Sequence, residues 1–101
     1  MKRARFVAAA RREFLAEVDY YRSEERGLGA RFAEAVEEAV TRALAFPLAG
    51  SPAARNTRRV FLKDFPFAIV YRPTEEGVVI FAVAHHQRRP GYWQSRIQER
   101  Q

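Results

Sequence analysis

The chain has 101 residues, 18 of them Lys or Arg and 12 Asp or Glu, and a formal charge of +6. That is the length of one domain, and 48% hydrophobic with 30% charged residues suffices to bury a core. The absence of Cys excludes a disulfide scaffold and a Cys-based zinc site, and two adjacent His leave little for any other metal site, so no metal or cofactor is expected.

Residues 2 to 7 place Ala4 and Phe6 on one face and Arg3 and Arg5 on the other, the alternation of a short strand. From about Ala9 the period becomes helical, with Ala10, Phe14, Val18 and Tyr21 on one side and Glu13, Glu17 and Arg22 elsewhere on the wheel. Gly27-Leu28-Gly29 punctuates the chain, because glycine readily takes the left-handed conformation that ends helices. A second helix carries Phe32, Val36, Val40 and Leu44, with Ala35, Ala39 and Ala43 beside them, and stops before Pro47. So short a link makes the two helices an antiparallel hairpin.

Leu48 to Asn56, with Gly50 and Pro52, reads as loop. Strands are predicted at Arg58 to Lys63, Phe67 to Arg72 and Val78 to Ala84. Their short links make neighbours antiparallel, since a parallel pairing needs a crossover of a dozen or more residues. Val78 to Ala84 is apolar on both faces, the mark of a central, covered strand. The expected fold is α+β, β-α-α-β-β-β, with the helix hairpin packed on a curved, mostly antiparallel sheet and a short C-terminal segment. The expected core is Phe14, Val18, Phe32, Val36, Val40, Leu44, Phe61, Ile69, Val79, Phe81 and Val83.

Charge is unevenly spread. Residues 1 to 12 are basic (+5), 13 to 40 acidic (−5) and 41 to 72 basic (+5). Sixteen of the 18 basic residues are Arg, which pairs bidentately with carboxylate and phosphate. The surface is either simply solvated or addressed to an anionic partner, a nucleic acid or an acidic protein segment. The longest apolar run, Val78 to Ala84, has seven residues, against roughly 20 for a membrane span. No signal peptide is visible, since Arg11 and Arg12 break the apolar stretch from Phe6 to Ala10, and a cytoplasmic location without membrane contact is expected.

Several residues have a structural and a functional reading. His85 and His86 end a strand, so one should face inward and one outward. Trp93 is either a core plug that pins the C-terminal segment or an interface anchor. One of Tyr20 and Tyr21 should pack and the other lie at a solvated edge. Arg58 and Arg59 fall on opposite strand faces, one of them free to pair with a helix-borne Glu. Glu34, Glu37 and Glu38 read as an exposed helix face.

The early strand, the helix hairpin with Tyr20-Tyr21, Phe46-Pro47, and Phe65-Pro66-Phe67-Ala68-Ile69-Val70-Tyr71-Arg72 stand in an order that resembles the RelE/ParE superfamily of type II toxin–antitoxin toxins. The tail, His85-His86-Gln87-Arg88-Arg89-Pro90-Gly91-Tyr92-Trp93 followed by Arg96, resembles the ParE-like, plasmid-stabilisation branch. The resemblance implies a cognate antitoxin as partner and DNA gyrase as target, poisoned by binding alone. The residues expected to bind the target are Arg88, Arg89, Tyr92, Trp93 and Arg96, types that often dominate interface energies. The antitoxin would carry acidic and apolar residues on a segment that folds only on binding. Two alternatives stand beside this. One is a RelE-type mRNA endonuclease acting on the ribosome, with His85, Arg72 and Tyr92 as the catalytic candidates. Against it, Ala68 stands where the resemblance places a nuclease Arg. The other is a non-toxic module that binds an antitoxin or a nucleic acid.

Overall fold

The computed structural model describes residues 2–97. Strand β1 (Arg3–Phe6) leads into helix α1 (Ala8–Glu24), and helix α2 (Leu28–Ala45) follows after a three-residue link. Then come β2 (Ser51–Ala53), a 3-10 turn at Ala54–Asn56, β3 (Thr57–Phe61), β4 (Phe67–Thr74) and β5 (Gly77–His85), with a last 3-10 turn at Gln94–Arg96. One five-stranded sheet has the order β1-β5-β4-β3-β2. β1 runs parallel to β5 and the other pairs are antiparallel. This is the expected α+β fold with one added strand. β2 lies within the stretch read as loop, where Pro52 argues against a strand. An edge position tolerates it, because one side of an edge strand needs no ladder hydrogen bonds.

The glycine pair divides its work. Gly27 takes the left-handed turn (φ +83) between the helices. Gly29 lies inside α2, where a Cβ would stand 2.7 Å from the Val18 carbonyl oxygen, so its lack of a side chain sets how closely the helices approach. The buried stripe of α2 is Phe32, Val36, Ala39 and Ala43. Val40 and Leu44, expected in that stripe, are half-buried flanks. A strict spacing of four overshoots a helix of about 3.6 residues per turn, and the line drifts off the contact face. Phe32 has no exposure, and its ring lies 5.1–5.2 Å from those of Tyr21, Phe65 and Phe67. Tyr21 therefore packs while Tyr20 is exposed.

The sheet is covered on both faces. Toward the helices it presents Val60, Leu62, Phe67, Ile69, Tyr71, Val78, Ile80 and Val83. Away from them Val70, Val79, Phe81 and Ala82 pack under Trp93 and Ile97 of the C-terminal segment. A β-bulge causes the change of parity along β5. Val70 pairs with Ala82 but Tyr71 with Ile80, which leaves Phe81 as the extra residue. Phe81 is fully buried, but beneath the tail rather than beneath the helices. Phe61 departs from the expected core at 44% exposure. Val60 and Leu62 take the helix-facing side of their segment, so the residue between them points to a part of the outer face that the tail does not reach.

Candidate functional site

The tail after β5 is a chain of tight turns. The His86 N–H donates to the Pro66 carbonyl at 2.9 Å, the Arg88 N–H to His85 at 3.0 Å and the Tyr92 N–H to Arg89 at 3.2 Å. Gly91 makes the last reversal at φ +74. The tail then seats Trp93 (5% exposed) and Ile97 on the outer face of the sheet.

One carboxylate on α1 holds this tail. β1 stops at Phe6, and its last rung to β5 is the Val7 N–H donating to Ile80 at 3.0 Å. Beyond that rung β5 has lost its strand partner on this side. Glu13 takes its place: Oε1 accepts the Val83 N–H at 3.1 Å and Arg96 Nη1 at 2.8 Å. Oε2 accepts the Tyr92 hydroxyl at 2.7 Å and Arg96 Nη2 at 2.9 Å. Arg96 Nη1 also donates to the Phe81 carbonyl at 2.9 Å. The pair is bidentate, and the two side chains are only 16% and 19% exposed, so its hydrogen bonds are stronger than those of a surface pair. Burial, and then the hydrogen bond and charge of Glu13, push the Tyr92 phenol well above its usual range. Glu13 likewise raises Arg96. Tyr92 is thus held as a neutral donor. Its ring carries the Arg88 guanidinium on its face, 3.8 Å from the centroid.

The candidate target-binding residues divide accordingly. Arg88 and Arg89 are exposed, Tyr92 and Arg96 are tied to Glu13, and Trp93 is packed beneath them. Trp93 fills the plug position and has almost no surface with which to touch another molecule. Of the alternative catalytic set, Tyr92 is in the tail and His85 at its root, but Arg72 is elsewhere. In the β4–β5 register Arg72 faces Val79 while His85 faces Phe67. Five residues of strand separate the two positions, on the order of 17 Å. Arg72 donates to the Arg55 and Asn56 carbonyls. His85 lies edge-on to Phe67, with Nδ1 accepting the Gln87 N–H at 3.0 Å, and His86 is exposed beside Phe61. Arg58 does not pair with a helix-borne Glu. It donates to the Leu48 and Gly50 carbonyls at 2.8 and 2.9 Å, so its charge fixes the loop before β2. Glu38, read as exposed, is half-buried against Arg42 at 2.7 Å.

Sequence reasoning passed over Glu13. No local pattern marks it, because its tail partners stand 79 and 83 residues away. Among the described residues no group of three His, Asp or Glu is placed to hold a metal ion, and no helix is long and apolar enough to cross a membrane.

A helix hairpin on one face of a mixed sheet, with an Arg-rich tail clamped across the other, defines a small α+β protein. The family model described as the ParE toxin of type II toxin–antitoxin systems, parDE, matches residues 4–90, and the chain belongs to that family. A solved structure titled as the chromosomal ParDE toxin–antitoxin system from P. aeruginosa superposes with a TM-score of 0.68. The match covers 84% of this chain and 96% of that one at 17% identity, a likeness of fold. No curated protein sequence matches this one. Tyr92, Trp93 and Arg96 lie beyond the matched segment, while Glu13 lies within it.

Proposed function

We propose that this ParE-family toxin acts by binding and poisoning a protein target, DNA gyrase, without cutting RNA, and that a cognate antitoxin neutralises it. The observation that carries the reading is the separation of the chemical groups. Arg72 and His85 stand far apart along the β4–β5 ladder, and Tyr92 is engaged with Glu13. General acid–base chemistry needs its groups within hydrogen-bond reach of one substrate. Binding needs only a preorganised surface, and the clamped tail offers Arg88 and Arg89 on one. The ParDE system of the structural match supports an antitoxin partner. The net charge of +6 suits an acidic segment that folds on this surface.

The test pairs gyrase supercoiling with translation in a purified system. The expected result is inhibited supercoiling and intact messenger. Arg89→Ala should abolish inhibition while antitoxin binding is partly kept. Trp93→Ala should do the same by unseating the tail. Codon-specific cleavage of messenger with supercoiling untouched would establish the nuclease reading instead.

A further inference from the structure

The sheet has two edges, and they differ. β2 has three residues, and Pro52 among them has no N–H to give another strand. β1 pairs with β5 on one side, and among the described residues no strand pairs with the other. The Arg3 N–H donates to the Glu76 carbonyl at 2.7 Å and the Val7 N–H to Ile80 at 3.0 Å, both toward β5. Backbone groups alternate in direction along a strand, so the N–H and C=O of Ala4 and Phe6 point away from β5. No proline or bulge interrupts them.

The two faces of β1 differ as well. Ala4 and Phe6 are half-buried on the helix side, and the Phe6 ring lies 6.0 Å from that of Phe14. Arg3 and Arg5 are exposed on the other side, about 7 Å apart along the strand. They border an open hollow of about 390 Å³ with Thr74, Val78 and Val79. Glu76 is the one carboxylate that lines it, and among the described residues neither arginine is in an ion pair.

We infer that β1 takes up an extended acidic segment of another protein as a sixth strand, with Asp or Glu against Arg3 and Arg5 and apolar side chains beside Ala4 and Phe6. Acids at every second position of a strand repeat at the spacing of the two arginines, and opposite charges directly across a strand pair stabilise it. The apolar positions in between extend the contact of Phe6 with Phe14. A second copy of this chain fits less well. Two-fold antiparallel pairing of β1 with itself sets arginine against arginine on the outer face, and like charges directly opposite destabilise a pair. The contact is separate from the proposed binding of a protein target and uses none of its residues.

The probe is a dye-labelled synthetic peptide of about seven residues, alternating Glu and Val, followed by fluorescence anisotropy with the purified chain. It should bind several-fold more tightly than a peptide of the same composition with its Glu and Val in two blocks, and than one alternating Lys and Val. Arg3→Glu with Arg5→Glu, at two exposed sites, should reverse the order, so that the Lys peptide binds better. Arg26→Ala with Arg31→Ala removes two exposed charges from the helical layer and should change little. Two further peptides, N-methylated on every Glu or on every Val, each lack the donors of one strand edge, so one should lose binding and the other keep it. The Ala4 and Phe6 amide protons should exchange more slowly with the Glu–Val peptide bound. None of these readouts needs gyrase, so failure of the gyrase reading and failure of this one are distinguishable. Equal binding of the block peptide, no reversal in the double Glu variant, or equal binding of the two N-methylated peptides would overturn the inference. So would a free chain that sediments as a dimer with its Ala4 and Phe6 amides already protected.

Discussion

Replacing Glu13 by Ala tests whether one carboxylate holds the tail. The change removes the acceptor of four hydrogen bonds and leaves the Arg96 guanidinium uncompensated. Breaking a fully buried ion pair costs about 3–5 kcal/mol. The residual exposure of 16% and 19% places this pair at the lower end, about 3 kcal/mol, a factor on the order of 100 in the docking equilibrium. The loss should fall on the tail, because the helices and the ladders of the sheet do not depend on Glu13 apart from the Val83 N–H. Trp93 is the sole tryptophan and is buried under the clamp, so it reports directly. In Glu13→Ala its emission should shift to the red and become more quenchable by acrylamide, with the far-ultraviolet helical signal kept. Glu13→Gln keeps the shape but loses the charge and sets an amide N–H against donors, and it should fall between. Adding Arg96→Met to Glu13→Ala should recover part of the loss, since the unpaired charge is then gone. Unchanged Trp93 emission and quenching in Glu13→Ala would refute the clamp.

Phe32→Ala should cost about 3–5 kcal/mol in denaturant unfolding, because a side chain with no exposure leaves a cavity among four aromatic rings. Gly29→Ala should destabilise by about 1–3 kcal/mol by forcing the helices apart at Val18, read as a lower denaturation midpoint. The Tyr92 phenol is raised in the folded state, so its contribution is complete below the ordinary tyrosine pKa of about 10 and is lost as pH rises beyond it. Trp93 emission followed through that alkaline range should report undocking, and Tyr92→Phe should remove the part of the pH dependence that belongs to Tyr92.

The sequence carried most of the fold because periodicity is local. Ala4 and Phe6 alternate against arginines, α2 repeats its apolar residues at helical spacing, and β5 is apolar throughout. The misreadings arose where distant contacts decide. Pro52 belongs to a strand only because that strand is at an edge. Phe61 is exposed because the tail, thirty residues further on, stops short of it. The bulge at Phe81 appears only in the pairing with β4. At the candidate site the exposed Arg88 and Arg89 could be read from the motif. Trp93 could be read only as plug or anchor, and Glu13 could not be read at all. A carboxylate on a helix wheel looks solvated until the end of the chain arrives beside it.

That late arrival has a consequence for synthesis. Arg3 pairs with Gly77, and Glu13 with Arg96. At roughly 5–20 residues per second, β1 waits about 4–15 s for the strand it must join. Throughout that time the N-terminal half exists only as a helix hairpin and one unpaired strand. The clamp cannot close until the last turn of the tail has left the ribosome. A nascent chain therefore cannot present its arginine surface in finished form, whichever partner that surface serves.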